Sequence, residues 1–245
     1  MDYNPYEMIF KRKSVRKYDK NLKVSDEELE LIMQKLKTLV PYDENIRTAF
    51  TVVPNGDTSC GRGEYCLVGY SEKKGDYLLN MGYMLEQIDL FLPSINVGAC
   101  WQGLSKPDTK TLDGLDYVIL LSFGKAGENT FQSKNSFFKR KKLDEIWEGD
   151  FYKPVGEVVR LSPSAINWQP WRVKAGKGKI EVYRTSSLFP LYPKAKMHFF
   201  NTIDLGIFCY ILEICLKHEG FDFERVKPPS PAEGLIPVAT YLIKE

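Results

Sequence analysis

The chain has 245 residues, of which 43% are hydrophobic and 27% charged, a composition typical of a folded globular protein with a sizeable core. Its 34 basic and 32 acidic side chains leave a formal net charge of +2, which argues against nucleic acid or an anionic membrane surface as the main partner. Five cysteines without a CxxC pair and two distant histidines argue against a disulfide framework, a zinc site and a Ser-His-Asp triad.

The N-terminal stretch lacks the basic-then-apolar pattern of a signal peptide. The longest apolar run, IFCYILEICL, is interrupted by Glu213 and falls short of the roughly 20 residues that a membrane-spanning helix needs. The sequence therefore predicts a cytoplasmic protein without a membrane partner.

Three helices are predicted in chain order. The first, VSDEELELIMQKLKTL, opens with a capping box formed by Ser25 and Glu28, and apolar residues recur at helical spacing as far as Val40. The second spans residues 76–92 and carries an apolar stripe. The third, TIDLGIFCYILEICLKHEG, is apolar nearly all round, which indicates burial on most sides, and a C-terminal glycine marks its end.

Strands are predicted where β-branched and aromatic residues cluster between turn residues. They are YCLVGY, DYVILLSFG, IPVATYLIK and WRVKAGKGKIEVY, the last of these a hairpin around Gly176-Lys177-Gly178.

The two halves of the chain repeat one pattern. Each half has an amphipathic helix, a hairpin-like pair of strands, a long buried helix and a closing strand. The buried helix and following residues at 80–103 parallel those at 204–226, and the strand DYVILLSFGK parallels IPVATYLIK. Two like units suggest a two-fold arrangement inside one polypeptide. The alternative is a pair of unrelated helical hairpins.

A basic stretch near the start, KRKSVRKYD, places Arg12, Ser14 and Arg16 at every second position. If the segment is extended, the three side chains project to one side, and two guanidiniums flanking a hydroxyl suit a phosphate. A solvated basic run is the alternative. The second basic run, FFKRKKLDEIW, is also compatible with the first turn of a helix that faces water.

The segment SPSAINWQPWRV combines two prolines, an asparagine and two tryptophans. Prolines are disfavoured in a helix interior, so the segment is interpreted as a stiffened loop. Trp171 is expected in the core. For Trp168 a pocket and a surface position both stay open.

Two of these segments together resemble motifs of the FMN-dependent nitroreductase family, in its single-chain branch. They are Arg12-Lys13-Ser14-Val15-Arg16 and Pro163-Ser164-Ala165-Ile166-Asn167-Trp168-Gln169-Pro170-Trp171. NVGACWQG, KRKKLDEIW and the Asp204 to Gly206 helix start add to the likeness, which covers nearly the whole chain. The resemblance implies an α+β fold with a central, mostly antiparallel β-sheet flanked by helices.

The resemblance also implies which residues bind FMN. Arg12, Ser14, Lys139 and Arg140 would contact the phosphate and ribityl chain. Arg16 would lie near flavin N1 and O2, where a positive charge stabilises the reduced ring. The implied cofactor-binding set is Arg12, Lys13, Ser14, Arg16, Gln102, Gly103, Lys139, Arg140, Pro163, Ser164, Ala165 and Asn167.

Within that set, Trp101-Gln102-Gly103 resembles a turn whose backbone N–H groups approach the N5/O4 edge of the flavin, and Gly103 would permit the close approach. Trp101 itself is expected in the core. Asn167 would offer a donor and an acceptor to the polar edge of the flavin.

The sequence departs from the family pattern in one informative way. The basic motif lies in the first half and the Pro-Ser-x-x-Asn motif in the second; residues 39–53 lack a first-half copy of the latter. In typical members, homodimers place one flavin at each subunit interface. The chain therefore resembles a fused dimer, a monomer with one FMN, forming a single domain over 1–245 with halves at 1–126 and 137–245.

The function that follows is an FMN-dependent oxidoreductase. It would use NADH or NADPH to reduce nitro compounds, quinones or similar small acceptors by ping-pong hydride transfer through flavin N5, with no catalytic side chain and no metal. The alternatives are a flavin-binding protein without turnover, or a relative that carries out dehalogenation or flavin fragmentation. Residues 183–200 form a candidate lid, or an ordinary surface excursion.

Overall fold

A computed structural model describes residues 3–19, 21–127, 130–131, 139–186 and 193–244. The chain divides into two compact units, Met1–Phe137 and Phe138–Glu245, which we call unit 1 and unit 2. The division lies near the boundary of the predicted halves, whose arrangement as one domain stays a prediction. Most of the residues between the halves, and the centre of the candidate lid at 187–192, lie outside the described ranges.

Unit 1 combines helices with one sheet. Its helices are α1 (Pro5–Lys11), α2 (Asp26–Leu36) and α3 (Tyr77–Phe91). Its strands are β1 (Thr48–Pro54), β2 (Tyr65–Ser71), β3 (Val97–Gln102), β4 (Thr111–Leu112) and β5 (Leu115–Lys125). The strands run antiparallel in the order β1-β2-β5-β3, and β4 pairs with β5.

Unit 2 is built in the same way. Its helices are α4 (Leu143–Ile146), α5 (Lys153–Val159) and α6 (Lys194–His218). Its strands are β6 (Trp147–Glu148), β7 (Trp171–Gly176), β8 (Lys179–Thr185), β9 (Asp222–Val226) and β10 (Leu235–Lys244). The order is β6-β7-β8-β10-β9, with β6 parallel to β7 and the other pairs antiparallel.

The predicted central sheet is corrected by this topology, since the described strands form two five-stranded sheets, one in each unit. In unit 1, α3 connects β2 to β3, which pairs with β5. In unit 2, α6 connects β8 to β9, which pairs with β10. The four-strand order β7-β8-β10-β9 thus repeats β1-β2-β5-β3.

The capping box of α2 is confirmed, because the Ser25 side chain accepts from the backbone N–H of Glu28 and the Glu28 carboxylate accepts from that of Ser25. The helix nevertheless stops earlier than predicted, at Leu36. Val40 lies beyond it with 57% of its surface exposed, and Ile32 is the residue of α2 that is buried.

The two long helices are the core of their units. In α3 all residues from Leu79 to Phe91 are buried, so burial extends well beyond the predicted stripe. The helix α6 has 25 residues and ends as predicted, with Gly220 at a φ of +78° just past it. Its predicted start at Thr202 is wrong: the helix begins at Lys194, so residues 194–200 of the candidate lid are helical. By length and composition α6 would suffice to cross a membrane, but 83% of its most apolar window is buried, as in the core helix of a globular unit.

Five strands were not predicted as such: β1, β3, β9 and the two-residue strands β4 and β6. The predicted strands at β2, β5 and β10 are confirmed, and so is the β7–β8 hairpin, which turns at Lys177 and Gly178. The basic run before α4 is not helical; the helix is a single turn that begins at Leu143.

Candidate functional site

The Arg-x-Ser-x-Arg segment follows α1 and lies along the edge of the unit 1 sheet. Ser14 forms an isolated parallel bridge with Ala99 of β3, and the Val15 amide donates to the Ala99 carbonyl oxygen over 2.7 Å. Val15 is buried against Gly98, where an added Cβ would lie 2.8 Å from the nearest methyl carbon of Val15. Glycine at position 98 therefore lets the segment approach the strand closely enough to pair with it.

Arg12 is buried, unlike the other polar residues of the motif. Only 6% of its surface is exposed, and its Nη1 lies 2.8 Å from Oδ2 of Asp89 in α3. Burial alone would lower the pKa of Arg12, but the carboxylates of Asp89 and Glu86 outweigh burial and raise it. The guanidinium is thus a fixed cation inside unit 1, and its predicted contact with a phosphate stays a prediction.

The remaining basic motif residues are more accessible. Ser14 and Lys13 are half-buried and Arg16 is exposed. Among the described residues, no hydrogen bond to the Ser14 hydroxyl and no ion pair of Arg16 is present. Arg16 is nevertheless close enough to Cys100 of β3 to counteract the rise in the pKa of that thiol that burial causes. Ser14 and Arg16 therefore keep their hydrogen-bonding capacity for an anionic or polar ligand.

Gln102 and Gly103 lie at the end of β3. The structure places Trp101 and Gln102 in the strand, so the predicted turn begins only at Gly103, which is exposed. The Gln102 side chain donates to the hydroxyl of Ser122 over 3.0 Å. Trp101 is half-buried instead of fully buried, and its indole N–H donates to Asp89 over 2.9 Å.

In unit 2, the Pro-Ser-x-x-Asn segment is a loop with an unusual backbone. A single 3₁₀ turn covers Ala165–Asn167, and φ is +49° at Ile166, +58° at Asn167 and +53° at Gln169. Asparagine tolerates this left-handed region, whereas for a β-branched isoleucine it is a steric outlier. The surroundings must therefore hold the loop in shape.

Two contacts fix the start of this loop. The Ser164 hydroxyl accepts from the backbone N–H of Gln169 over 2.9 Å. The backbone N–H of Ala165 donates to both carboxylate oxygens of Asp204 in α6, each at 3.1 Å. Asp204 is buried, and burial raises its pKa well above the usual range, although the bond from Ala165 opposes that rise.

The second basic run holds the other end of the loop. Arg140 donates from Nη1 to the Asn167 side-chain oxygen over 2.6 Å, and the Asn167 amide donates to the Lys139 carbonyl over 2.8 Å. The Lys141 backbone N–H donates to the Gln169 side chain over 2.8 Å. The structure thus brings the candidate residues Lys139, Arg140 and Asn167 together, and both polar groups of the Asn167 side chain are engaged within unit 2.

The two tryptophans of the loop differ in their environment. Trp171 is fully buried at the start of β7 and stacks on Phe208 of α6 at 5.0 Å between ring centroids, which confirms its predicted core position. Trp168 is half-buried, with the Lys141 ammonium 5.6 Å from its ring centroid. Burial, and then the positive charge of Arg172, lowers the pKa of Lys141.

The donor set of each unit suits part of an FMN molecule. A phosphate dianion needs cationic and hydroxyl donors, which Ser14 and Lys13 supply in unit 1 and Lys139 supplies in unit 2. Gly98 makes room for the basic segment beside β3, since a Cβ there would collide with Val15. Among the described residues, no cluster of three or more potential metal ligands is present.

Four residues that shape these segments were assigned no role from the sequence: Asp89, Lys141, Gln169 and Asp204. Asp89 carried a weak signal, because a carboxylate in a helix predicted to be buried requires a cationic partner. Gln169 and Asp204 were recognised only as motif residues, and Asp204 lies inside α6 and not at the predicted helix start. Its bond to Ala165 joins residues 39 positions apart, and no local pattern reveals it.

Comparisons with known proteins agree with this fold. The family model described as "Putative TM nitroreductase" matches residues 4–215. No curated protein matches the chain. A solved structure of a putative nitroreductase from Thermotoga maritima aligns with a TM-score of 0.64 at 20% identity, over 99% of this chain and 94% of that one.

Two more distant structures align over shorter stretches. A putative nitroreductase from Desulfovibrio desulfuricans, solved in complex with FMN, has a TM-score of 0.44 at 16% identity, over 62% of this chain and 99% of that one. An FMN-dependent nitroreductase from Clostridium difficile has a TM-score of 0.41 at 18% identity, over 55% of this chain and 98% of that one. The match of the family model over most of the chain establishes that the protein belongs to this nitroreductase family.

Proposed function

We propose that the protein is an FMN-dependent oxidoreductase that uses NADH or NADPH to reduce nitro compounds, quinones or similar small acceptors. Its membership of a nitroreductase family supports the class of reaction. The observation that carries the cofactor proposal is the basic segment beside β3. There Ser14 and Arg16 are held in place through the Val15–Ala99 hydrogen bond, and they have no described partner of their own.

In unit 1, the proposed roles follow from charge and position. Ser14 donates its hydroxyl proton to a phosphate or ribityl oxygen, and Lys13 adds a cation nearby. Arg16 would lie close to the polar N1/O2 edge of the flavin, where a guanidinium would stabilise the negative charge that develops on reduction. Gly103, exposed at the end of β3, offers a backbone N–H that a planar ring can approach closely.

In unit 2, the loop and the second basic run are proposed to act as one preformed element. Arg140 and Asn167 hold each other, so the loop needs little reordering when a ligand binds. Lys139 is proposed to contact the phosphate. The backbone of residues 163–165, anchored by Asp204, is proposed to face the ring.

When bound, FMN would supply hydride and electron transfer through its N5 position, so the proposal requires neither a side-chain nucleophile nor a metal. The residues of the chain bind and orient the reactants and stabilise charge. Ping-pong exchange follows if nicotinamide and acceptor use the same face in turn.

We further propose that the chain is a fused dimer with one flavin. The repeated strand order of the two sheets supports an internal duplication. The distribution of the motifs supports a single site, because each half carries only one of the two cofactor motifs. On this proposal the protein acts as a monomer on a small-molecule acceptor.

The test is a visible spectrum of the purified protein with FMN, before and after anaerobic addition of NADH or NADPH. We expect bound flavin that either nucleotide bleaches and that an acceptor reoxidises. Arg16→Gln is expected to lower the reduction potential and weaken binding, whereas Lys17→Gln, an exposed neighbour, leaves both unchanged.

Three outcomes separate the alternatives. A protein that stays colourless after incubation with FMN contradicts the proposal. Flavin that dithionite bleaches and neither nucleotide reduces identifies a flavin-binding protein without turnover. Flavin that reacts without oxidising either nucleotide favours a different flavin reaction, such as dehalogenation or flavin fragmentation.

A further inference from the structure

A buried network in unit 1 connects the two segments that are candidates for flavin binding there. Oδ2 of Asp89 accepts from Nη1 of Arg12 over 2.8 Å and from the indole N–H of Trp101 over 2.9 Å. Arg12 precedes Ser14 in the basic segment, and Trp101 precedes Gln102 at the end of β3. A single carboxylate oxygen on α3 therefore contacts both segments.

Burial makes this network sensitive to the loss of a partner. The side chains of Arg12 and Asp89 are 5% and 1% exposed, and the second carboxylate oxygen of Asp89 has no hydrogen-bond partner among the described residues. Removing one member of a buried ion pair strongly destabilises the folded protein, because the remaining charge stays desolvated without a counterion. Replacing both members by apolar residues of similar volume is often tolerated. The position of the basic segment thus depends on both members of the pair.

Contacts on both sides of Arg12 fix the position of the basic segment, so the Arg12–Asp89 pair affects where Ser14 and Arg16 lie. Three residues lie between Arg12 and Arg16, and one of them, Val15, donates its amide N–H to the Ala99 carbonyl. Lys11, just before Arg12, donates to the carbonyl of Pro93 over 2.6 Å and so ties the end of α1 to the turn after α3. Ser14 has no described contact of its own beyond the strand pairing, so its location follows from these anchors.

We propose that Asp89 is a positioning residue which fixes Arg12 and Trp101 and thereby sets the places of Ser14, Arg16 and Gln102. On this proposal Arg12 holds the basic segment in place through Asp89, and Ser14 and its neighbours bind the phosphate. This inference rests on the proposed FMN site. It departs from the role that the family resemblance implies for Arg12, which is direct contact with the phosphate.

The experiment compares Arg12→Met, Asp89→Asn and the double variant Arg12→Met/Asp89→Leu with the parent chain. Dissociation constants for FMN and for riboflavin, which lacks the phosphate, are measured by flavin fluorescence. The thermal midpoint of the flavin-free protein and the hydrogen-exchange protection of the Val15 amide are measured in parallel. Ser14→Ala is the control for a group that touches the phosphate.

Each single variant is expected to lower the thermal midpoint, reduce protection of Val15 and weaken FMN binding by tenfold or more, on the order expected for a broken buried ion pair. The double variant is expected to recover the protection of Val15 and most, but not all, of the midpoint, because the indole N–H of Trp101 loses its acceptor and Glu86 loses the nearby guanidinium. Its FMN dissociation constant should return to within about threefold of the parent value, with the preference for FMN over riboflavin retained. Ser14→Ala should lose that preference with its midpoint unchanged.

Two results would overturn the inference. If the double variant regains most of its midpoint but binds FMN about tenfold more weakly with riboflavin affinity unchanged, Arg12 contacts the phosphate directly. If Arg12→Met alters neither midpoint nor Val15 protection, Asp89 does not position the segment. A parent chain that binds no flavin refutes the proposed function instead, and the protection of Val15 still tests the anchor.

Discussion

At the scale of single residues, the loop at 163–170 shows how tertiary contacts impose a backbone that its sequence does not favour. Left-handed φ values at Ile166, Asn167 and Gln169 each cost energy for a residue with a side chain, least for asparagine. Bonds from Arg140 and to Asp204 hold the loop from both ends. Unfavourable backbone conformations that persist in the folded protein are concentrated in functional loops, which agrees with the proposed contact between this loop and the flavin.

Ile166 offers a direct test of this strain. Its side chain is 52% exposed, so replacing it loses little burial. Ile166→Asn is expected to raise the free energy of unfolding by about 1 kcal/mol, because asparagine adopts the left-handed region more readily. Ile166→Val keeps the branched Cβ and should give no gain. Urea unfolding with an unchanged m-value measures both; equal stabilities of the two variants would refute the strain.

The burial of Asp204 predicts that the stability of the folded protein depends on pH. Burial raises the pKa of this carboxyl in the folded protein, so above the unfolded value of about 3.9 the folded state holds a proton that the unfolded state has released. The contribution of Asp204 to stability is therefore full at low pH and is lost as pH rises towards its folded pKa. Asp204→Asn removes this dependence and still offers an oxygen to the Ala165 amide.

The stability of Asp204→Asn relative to the parent is accordingly expected to increase between pH 4 and neutrality, starting near the unfolded pKa of about 3.9. Urea unfolding of both proteins at a series of pH values gives this difference directly. Glu213→Gln, a change at another buried carboxylate of α6 that instead bonds to Arg225, is the comparison. A difference that stays flat with pH would mean that Asp204 is ionised at the same pH in both states.

At the scale of secondary-structure elements, the contact between β3 and the basic segment sets the geometry of the unit 1 site. A Cβ on Gly98 would lie within 3.0 Å of three side-chain atoms of Val15. Gly98→Ala is therefore expected to push the segment from the strand, reduce the free energy of unfolding by about 1–3 kcal/mol and weaken FMN binding.

The matched control for this change is Gly176→Ala, since a Cβ there would meet no atom within 4 Å. The double variant Val15→Ala/Gly98→Ala removes the two methyl contacts and leaves only the Cβ of residue 15 close to the new Cβ, at 2.9 Å, so it should recover part of the FMN affinity. Urea unfolding and flavin fluorescence titration measure both effects. A Gly98→Ala chain as stable as Gly176→Ala would contradict the close approach.

Helices and strands with local sequence signals were predictable, whereas elements whose position depends on residues far away in the sequence were not. The capping box at Ser25 and the hairpin turn at Gly178 are local signals, and both were confirmed. Strand β3 was missed because it is mostly buried and contains Gly98 and Cys100, so it shows no alternation of polar and apolar residues. The burial of Arg12 depends on Asp89, which is 77 residues away, and no local pattern carries that information.

At the scale of the whole molecule, four of the five strands in each sheet follow one order, and in both units a buried helix connects the second of these four strands to the next one along the chain. A gene duplication followed by divergence of the two copies would produce such a repeated strand order with the same connections. The cofactor motifs have not repeated: Ser14 and Arg16 have no counterpart motif in the second half, and Asn167 has none in the first. This asymmetry makes a prediction about stoichiometry.

We expect one FMN per chain, with the motifs of both halves of the same chain acting on it. Chains carrying Arg16→Gln and chains carrying Asn167→Ala should each bind FMN weakly, and mixing them should restore nothing, because neither chain holds a complete set. In a dimer that shares its sites between chains, mixing would instead create one intact site in each mixed pair. Flavin absorbance per chain, with sedimentation equilibrium on the same samples, separates these cases. Recovered binding in the mixture, or two flavins per chain, would contradict the fused-dimer proposal.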